Sequence, residues 1–228
     1  MSYTFTIRAS ELQAVLLAAP KKDVRFYLNS VLFEFTPGGF LNLVATDGHR
    51  LHALRVYLQY ADDAAPRVPA GTQVLVPEDA LRRIKVGRRD PDSLEVTFDP
   101  NDVNTWNIAI RLPSSMTLET VSIDGRFPDY RRLFLSERTA EKYGSRQPAV
   151  TLDPEFTSDA CKALDILGAG PNKKRGYSFL YHEDVAMPVL VVSREYPHFI
   201  ALIQPRRDND YTSADIPEWV MPRVEEFA

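Results

Sequence analysis

The chain has 228 residues, 44% hydrophobic and 25% charged, with a formal net charge of −4. That is the make-up of a globular domain or two, and no apolar run approaches the roughly 20 residues that span a bilayer. The single cysteine, Cys161, excludes an internal disulfide. The start MSYTFTIRAS lacks the basic-then-apolar order of a secretory leader, so the expected location is cytoplasmic.

One pattern recurs along the chain: strand, helix, three strands. The first copy opens with a strand at Tyr3–Ile7. Ser10 suits a helix N-cap with Gln13 three residues on, and Leu12, Val15, Leu16 and Ala19 repeat at helical spacing until Pro20. Strands follow near Tyr27–Phe35, Phe40–Thr46 and Arg50–Leu58, the first two joined by the turn Pro37-Gly38-Gly39. After a loop at Ala61–Thr72, Val74–Val76 starts the second copy, and Pro77 suits the first position of a short helix carrying Ala80, Leu81 and Ile84. Leu94, Val96 and Phe98 alternate, as do Trp106, Ile108, Ile110 and Leu112, before a last strand at Leu118–Ile123.

Ser136–Gln147 is polar and without apolar periodicity, which predicts a linker. The third copy begins with Val150–Leu152, then a helix capped by Asp153, with Pro154 at its first position. Phe156, Ala160, Ala163, Leu164 and Leu167 form its apolar face. After the loop Gly168–Gly176, strands are predicted at Tyr177–Tyr181, Pro188–Ser193 and Phe199–Ile203, followed by an acidic tail from Asp208 to Ala228.

Three strings carry more than fold: DVRFYLNSVLFEF at Asp23–Phe35, ATDGHRL at Ala45–Leu51 and IDGRFPDYRR at Ile123–Arg132. Together they resemble the middle domain of the bacterial β sliding clamp, the ring that tethers a replicative polymerase to DNA. The resemblance implies an α+β DNA-clamp fold of three βαβββ units, with antiparallel sheets facing outward and helices on the inner face. On it, residues 1–135 match a complete clamp domain and residues 136–148 a linker. Residues 149–207 match half a domain, and 208–228 an added tail. The first domain and half of the last have no counterpart in this sequence. It also implies a non-catalytic processivity factor that encircles double-stranded DNA, contacts it without reading sequence, and uses no cofactor.

The family holds short linear motifs of polymerases and the clamp loader in a pocket between two domains. The matching positions here are Leu28, Thr46, Gly48, His49, Arg50 and Leu51; Pro128, Arg132 and Leu133; and Leu202, Ile203, Gln204, Pro205 and Arg206. The leucines and Ile203 suit an apolar basin, and His49, Arg50 and Arg132 suit hydrogen bonds to a peptide. Arg206 stands where the family usually has Met.

Basic residues gather at or just after each predicted helix: Lys21, Lys22 and Arg25; Arg82, Arg83, Lys85, Arg88 and Arg89; Lys173, Lys174 and Arg175. Helix-dipole complementarity explains any one cluster; three at equivalent places favour a shared phosphate-facing surface. Phe26 and Tyr27 match a family position near the DNA. Twelve units make the family's ring, so three per chain predict a homotetramer, with a trimer if a fourth unit is concealed. A non-encircling decoy that sequesters clamp-binding motifs is the alternative function. Asp47, His49 and His52 match no strong metal motif, and no catalytic signature is present.

Overall fold

The structure, a computed structural model, describes residues 2–61, 64–85, 92–101, 104–133, 150–168, 176–182 and 184–206. The predicted linker, the acidic tail, Arg88, Arg89 and Lys173–Arg175 lie outside them. Unit 1 comprises β1 (Tyr3–Arg8), α1 (Ala9–Leu16), β2 (Ser30–Thr36), β3 (Phe40–Thr46) and β4 (Arg50–Tyr57). Unit 2 comprises β5 (Gln73–Pro77), α2 (Glu78–Leu81), β6 (Ser93–Pro100), β7 (Trp106–Arg111) and β8 (Thr117–Val121). Unit 3 comprises α3 (Pro154–Leu167), β9 (Ser178–Leu180), β10 (Val189–Val192) and β11 (Phe199–Ile203).

The first strands of units 1 and 2 are exchanged. β1 pairs with β6 of unit 2, and β5 pairs with β2 of unit 1. The result is a four-stranded sheet, β1-β6-β7-β8, and a seven-stranded sheet, β5-β2-β3-β4-β11-β10-β9. Unit 3 extends the larger sheet because β11 pairs antiparallel with β4, Leu202 opposite Leu51.

Alternation divides the larger sheet into two faces. Val31, Phe33, Leu43, Ala45, Leu54, Val74, Val76, Val191, Ala201 and Ile203 point to the main core beneath α1 and α3. There Phe5 packs edge-on against Phe35 and Phe98, at 5.5 and 5.4 Å between ring centroids. Leu32, Val44, Leu51, Leu75, Leu190 and Leu202 point the other way and gather with Leu28, Phe127 and Tyr130.

The helix starts differ in part from the sequence reading. Asp153 caps α3 as expected, accepting the Glu155 N–H at 2.8 Å with Pro154 in the first turn. α1 begins one residue before Ser10, and Glu11 reaches back to the Arg8 N–H at 2.8 Å. Ser10 instead hydrogen-bonds Asp92, an acceptor 82 residues away that local reading cannot supply. Pro77 ends β5 rather than opening a helix, and α2 is a single turn. Tyr27–Phe35 is a 3₁₀ turn at Phe26–Leu28 followed by β2. Val150–Leu152 is not a strand: among the described residues it belongs to no sheet.

His52 is fully buried where α1 meets the larger sheet. Its Nδ1 lies 2.9 Å from the Ala14 carbonyl, and its ring packs edge-on against Phe199. Burial pushes its pKa down to about 4. An unfolded histidine protonates near 6.5, so the folded state takes up this proton later than the unfolded one. Its stability is therefore complete above about pH 6.5, declines as pH falls, and has lost this contribution below about 4. We expect urea unfolding to show a decline approaching about 1.4 kcal/mol per pH unit inside that window. His52→Leu removes this contribution from the slope; an equal slope in the folded variant assigns the decline to other groups.

Candidate functional site

The site grows from the turn between β3 and β4. Asp47 accepts the backbone N–H of His49 at 2.9 Å and of Arg50 at 3.0 Å through one carboxylate oxygen. Thr46 closes the other side, donating to the Arg50 carbonyl at 2.6 Å and accepting the Gly48 N–H at 3.0 Å. Gly48 sits at φ +88°, a left-handed backbone conformation that favours glycine, and a Cβ there would lie 2.7 Å from Arg25 Nη1, so the Arg25 side chain would have to move as well. Arg25 is held by Asp23 at 2.7 Å and donates to the Asp47 carbonyl at 2.9 Å. The Arg25 hydrogen bonds hold the Asp23 carboxyl down at about 2.

Arg50 points toward the helices, opposite in direction to Leu51. Its guanidinium reaches Asp47 Oδ2 at 3.0 Å and Asp159 Oδ2, on α3, at 2.5 Å. It also lies 4.5 Å from the Phe156 ring centroid. This is a buried cation between two carboxylates, one from unit 1 and one from unit 3. His49 stacks on the same Phe156 from the exposed side, at 6.4 Å between centroids. The turn is thus built to receive α3.

Of the expected pocket residues, Leu28, Leu51 and Leu202 come together on the face opposite the helices. They are buried, at 1%, 1% and 3% exposure. Ile203 faces the main core instead, as the alternation of β11 requires. His49 and Pro128 are exposed, as is Arg132, which pairs with Asp129 at 3.0 Å. Leu133 lies in a 3₁₀ turn, Tyr130–Leu133, and its side chain is outside the described residues. The Gln204 N–H reaches the His49 carbonyl at 2.8 Å, and its side chain donates to the Ala186 carbonyl at 2.7 Å. Pro205 is half-buried, and Arg206 donates its N–H to the Thr151 carbonyl at 2.8 Å.

A polar network beside this cluster was missed in the sequence. Glu34, on the same face of β2, is buried and accepts from Asn42, Gln73, the Tyr130 hydroxyl and both terminal nitrogens of Arg131. Burial raises its pKa, but these donors outweigh burial and hold it at about 2. The network fastens the segment carrying Phe127 and Tyr130 onto the sheet. Alternation on β2 is the signal that places a carboxylate there; only its distant donors explain why it is tolerated. Next to it, a groove of about 230 Å³ is lined by Asn42, Arg55, Tyr130, Arg131, His198 and Ile200.

The candidate DNA residues divide by environment. Lys21, Lys22, Arg83 and Lys85 are exposed after α1 and α2. Arg83 makes only a loose pair with Asp79, at 3.5 Å. Arg82 is committed to structure, bound to Glu78 and donating to the Ala19 carbonyl at 3.0 Å. Phe26 is exposed and packs edge-on against half-buried Tyr27. Among the described residues no group of three or more His, Cys, Asp or Glu is placed to hold a metal.

This architecture has close counterparts. The DNA polymerase sliding clamp of Caulobacter crescentus superposes with a TM-score of 0.60 over 90% of this chain and 66% of that one, at 19% identity. A ligand-bound sliding clamp of Pseudomonas aeruginosa gives 0.59 over the same shares, at 21%. The fold is that of a DNA polymerase sliding clamp. Sequence similarity points the same way. The chain is 36% identical over 115 residues to the β sliding clamp of Salmonella typhimurium, which is 49% of this chain and 27% of that protein. To that of Haemophilus influenzae it is 30% identical over 124 residues, or 54% and 30%. The matches span under a third of these curated relatives' length, and no family model matches the chain.

The Arg50 bridge makes a direct claim on stability. Removing Asp159 leaves Arg50 paired with Asp47 alone, and the lost charge-assisted hydrogen bond costs about 2 kcal/mol. We expect Asp159→Ala to lower the urea-unfolding free energy by about that amount and to speed amide exchange in α3. A loss below about 1 kcal/mol would show that solvent already screens the pair.

Proposed function

We propose that this chain is a DNA sliding clamp: a non-catalytic processivity factor that encircles duplex DNA and captures short peptides of a polymerase and a clamp loader. The carrying observation is the sheet that runs unbroken from unit 1 into unit 3, with α1 and α3 side by side beneath it. That is an arc of clamp architecture, and the sliding clamps are what the chain resembles in fold and, over about half its length, in sequence.

In this reading residues 1–135 form one clamp domain and 149–207 half of another. The peptide site lies on the outer face, where Leu51 and Leu202 meet across the unit 1–unit 3 junction and His49, Arg132 and Gln204 supply polar anchors. Lys21, Lys22, Arg83 and Lys85 line the hole with positive charge that needs no sequence readout. A net charge of −4 is no obstacle, because topology rather than affinity keeps the ring on DNA. Three units per chain fill a twelve-unit ring with four chains. Neighbouring units are related by local two-folds, so an odd number per chain makes successive chains alternate in direction. The ring is then dihedral, a common closed symmetry for tetramers.

Retention on DNA tests this. Loaded protein should remain on a closed circle through a high-salt wash and be lost when the circle is cut. Retention equal on circular and linear DNA would replace encirclement with ordinary binding. Arg83→Glu with Lys85→Glu should make the salt dependence of DNA binding shallower by roughly two units of log–log slope. An unchanged slope would place those residues away from the phosphates.

A further inference from the structure

Among the described residues, unit 3 lacks what units 1 and 2 give each other. In those units the first and second strands never pair within the unit; they lie in different sheets. Each first strand crosses to the other unit's second strand in one shared register. The residue just before the helix meets that strand's first residue: Arg8 opposite Ser93, and Pro77 opposite Ser30. The residue three before the helix meets its third: Thr6 opposite Glu95, and Leu75 opposite Leu32.

The opposite edge of each first strand is closed by its own unit, at that same position. Thr6 N–H bonds the Gln59 carbonyl at 2.8 Å, and Ile123 N–H bonds the Leu75 carbonyl at 2.8 Å. Unit 3 repeats this closure. Arg206 N–H bonds the carbonyl of Thr151, three residues before α3, at 2.8 Å. Residues 150–153 therefore sit as a first strand sits. Among the described residues they nevertheless belong to no sheet, and β9, the second strand of unit 3, is the last strand of its sheet.

Burial records the same vacancy. The inward residues of the exchanged pairs are sealed: Ile7 at 3%, with Val31, Val76 and Leu94 at 0%. Their counterparts in unit 3, Leu152 and Phe179, are only half-buried. An apolar side chain half-covered at a sheet edge is unfinished core.

We propose that a second copy of this chain completes unit 3, by reciprocal exchange of residues 150–153 onto β9. A second copy is the fitting occupant because each unit 3 offers both the strand and the edge that the other lacks. The contact is therefore a self-complementary two-fold. The shared register sets the pairs: Asp153 opposite Ser178, Leu152 opposite Phe179, and Thr151 opposite Leu180 of the second copy. This deepens the ring proposed above and rests on that reading for its role. It also fixes polarity, because an exchange edge matches only another exchange edge. The β8 edge is a last strand, as β4 and β11 are where units 1 and 3 meet. Chains thus join like end to like end.

The test uses the full chain with Cys161→Ser as background, adding Thr151→Cys and Leu180→Cys. Directly opposed residues of an antiparallel pair are close enough for a disulfide. Mild oxidation at micromolar concentration should convert most of the double variant to a covalent dimer that dithiothreitol reverses, while each single variant stays monomeric on the same gel. Circular dichroism matching the parent confirms that the variants are folded. A folded double variant that gives no covalent dimer overturns the exchange. So does a disulfide closing within one chain, which would assign the edge to the chain's own segment. Retention on closed circular DNA separates the two claims. A covalent dimer without retention leaves the exchange standing and removes the ring. Retention without the covalent dimer removes the exchange and leaves the ring.

Discussion

Antiparallel pairing of β4 with β11 is the contact on which the rest of the structure depends. It joins units far apart in the chain, with Phe199 opposite Leu54 and Ile203 opposite Arg50. Backbone pairing alone gives little specificity of register. Specificity comes from both faces at once. Beneath the sheet, Arg50 is clamped between Asp47 and Asp159, and above it Leu51 meets Leu202 in an apolar cluster. A slip of one residue would place Arg50 in the apolar cluster and Leu51 against two carboxylates. The junction therefore admits one alignment, and that alignment sets the course of the sheet and the approach of α3 to α1.

The same junction explains why the motif ATDGHRL does several jobs in seven residues. Gly48 supplies the turn, Asp47 and Thr46 lock it, Arg50 holds unit 3, and Leu51 lines the outer face. His49 is exposed, stacked on Phe156 yet accessible. On the proposed function, the residues that build the junction and those that meet a peptide alternate along one strand. Changes at Arg50 would then disturb peptide capture through the fold rather than by contact.

Most of the fold was legible because period-two alternation and turn residues mark the strands without tertiary help. Leu94, Val96 and Phe98 or Ile108 and Ile110 have no other reading, and Asp153-Pro154 announces α3. What escaped depends on distant partners. Ser10 looks like a cap but is drawn to Asp92, and Glu34 looks like a surface residue until Tyr130 and Arg131 arrive from nearly a hundred positions away. Within the candidate site, the outer leucines were legible from alternation and resemblance together. The inward turn of Arg50 and Ile203 was legible from alternation alone, but a grouping by residue type conceals it. Val150–Leu152 is the instructive case. Its sequence says strand, and no described strand of the chain pairs with it.

The central claim is that three units per chain close a clamp ring by joining like ends. Class averages of the purified protein by electron microscopy test it most directly. The account predicts a closed ring of four chains with twelve helices around the hole and two-fold axes in the ring plane. A head-to-tail ring of three chains, or free single arcs at micromolar concentration, would contradict it.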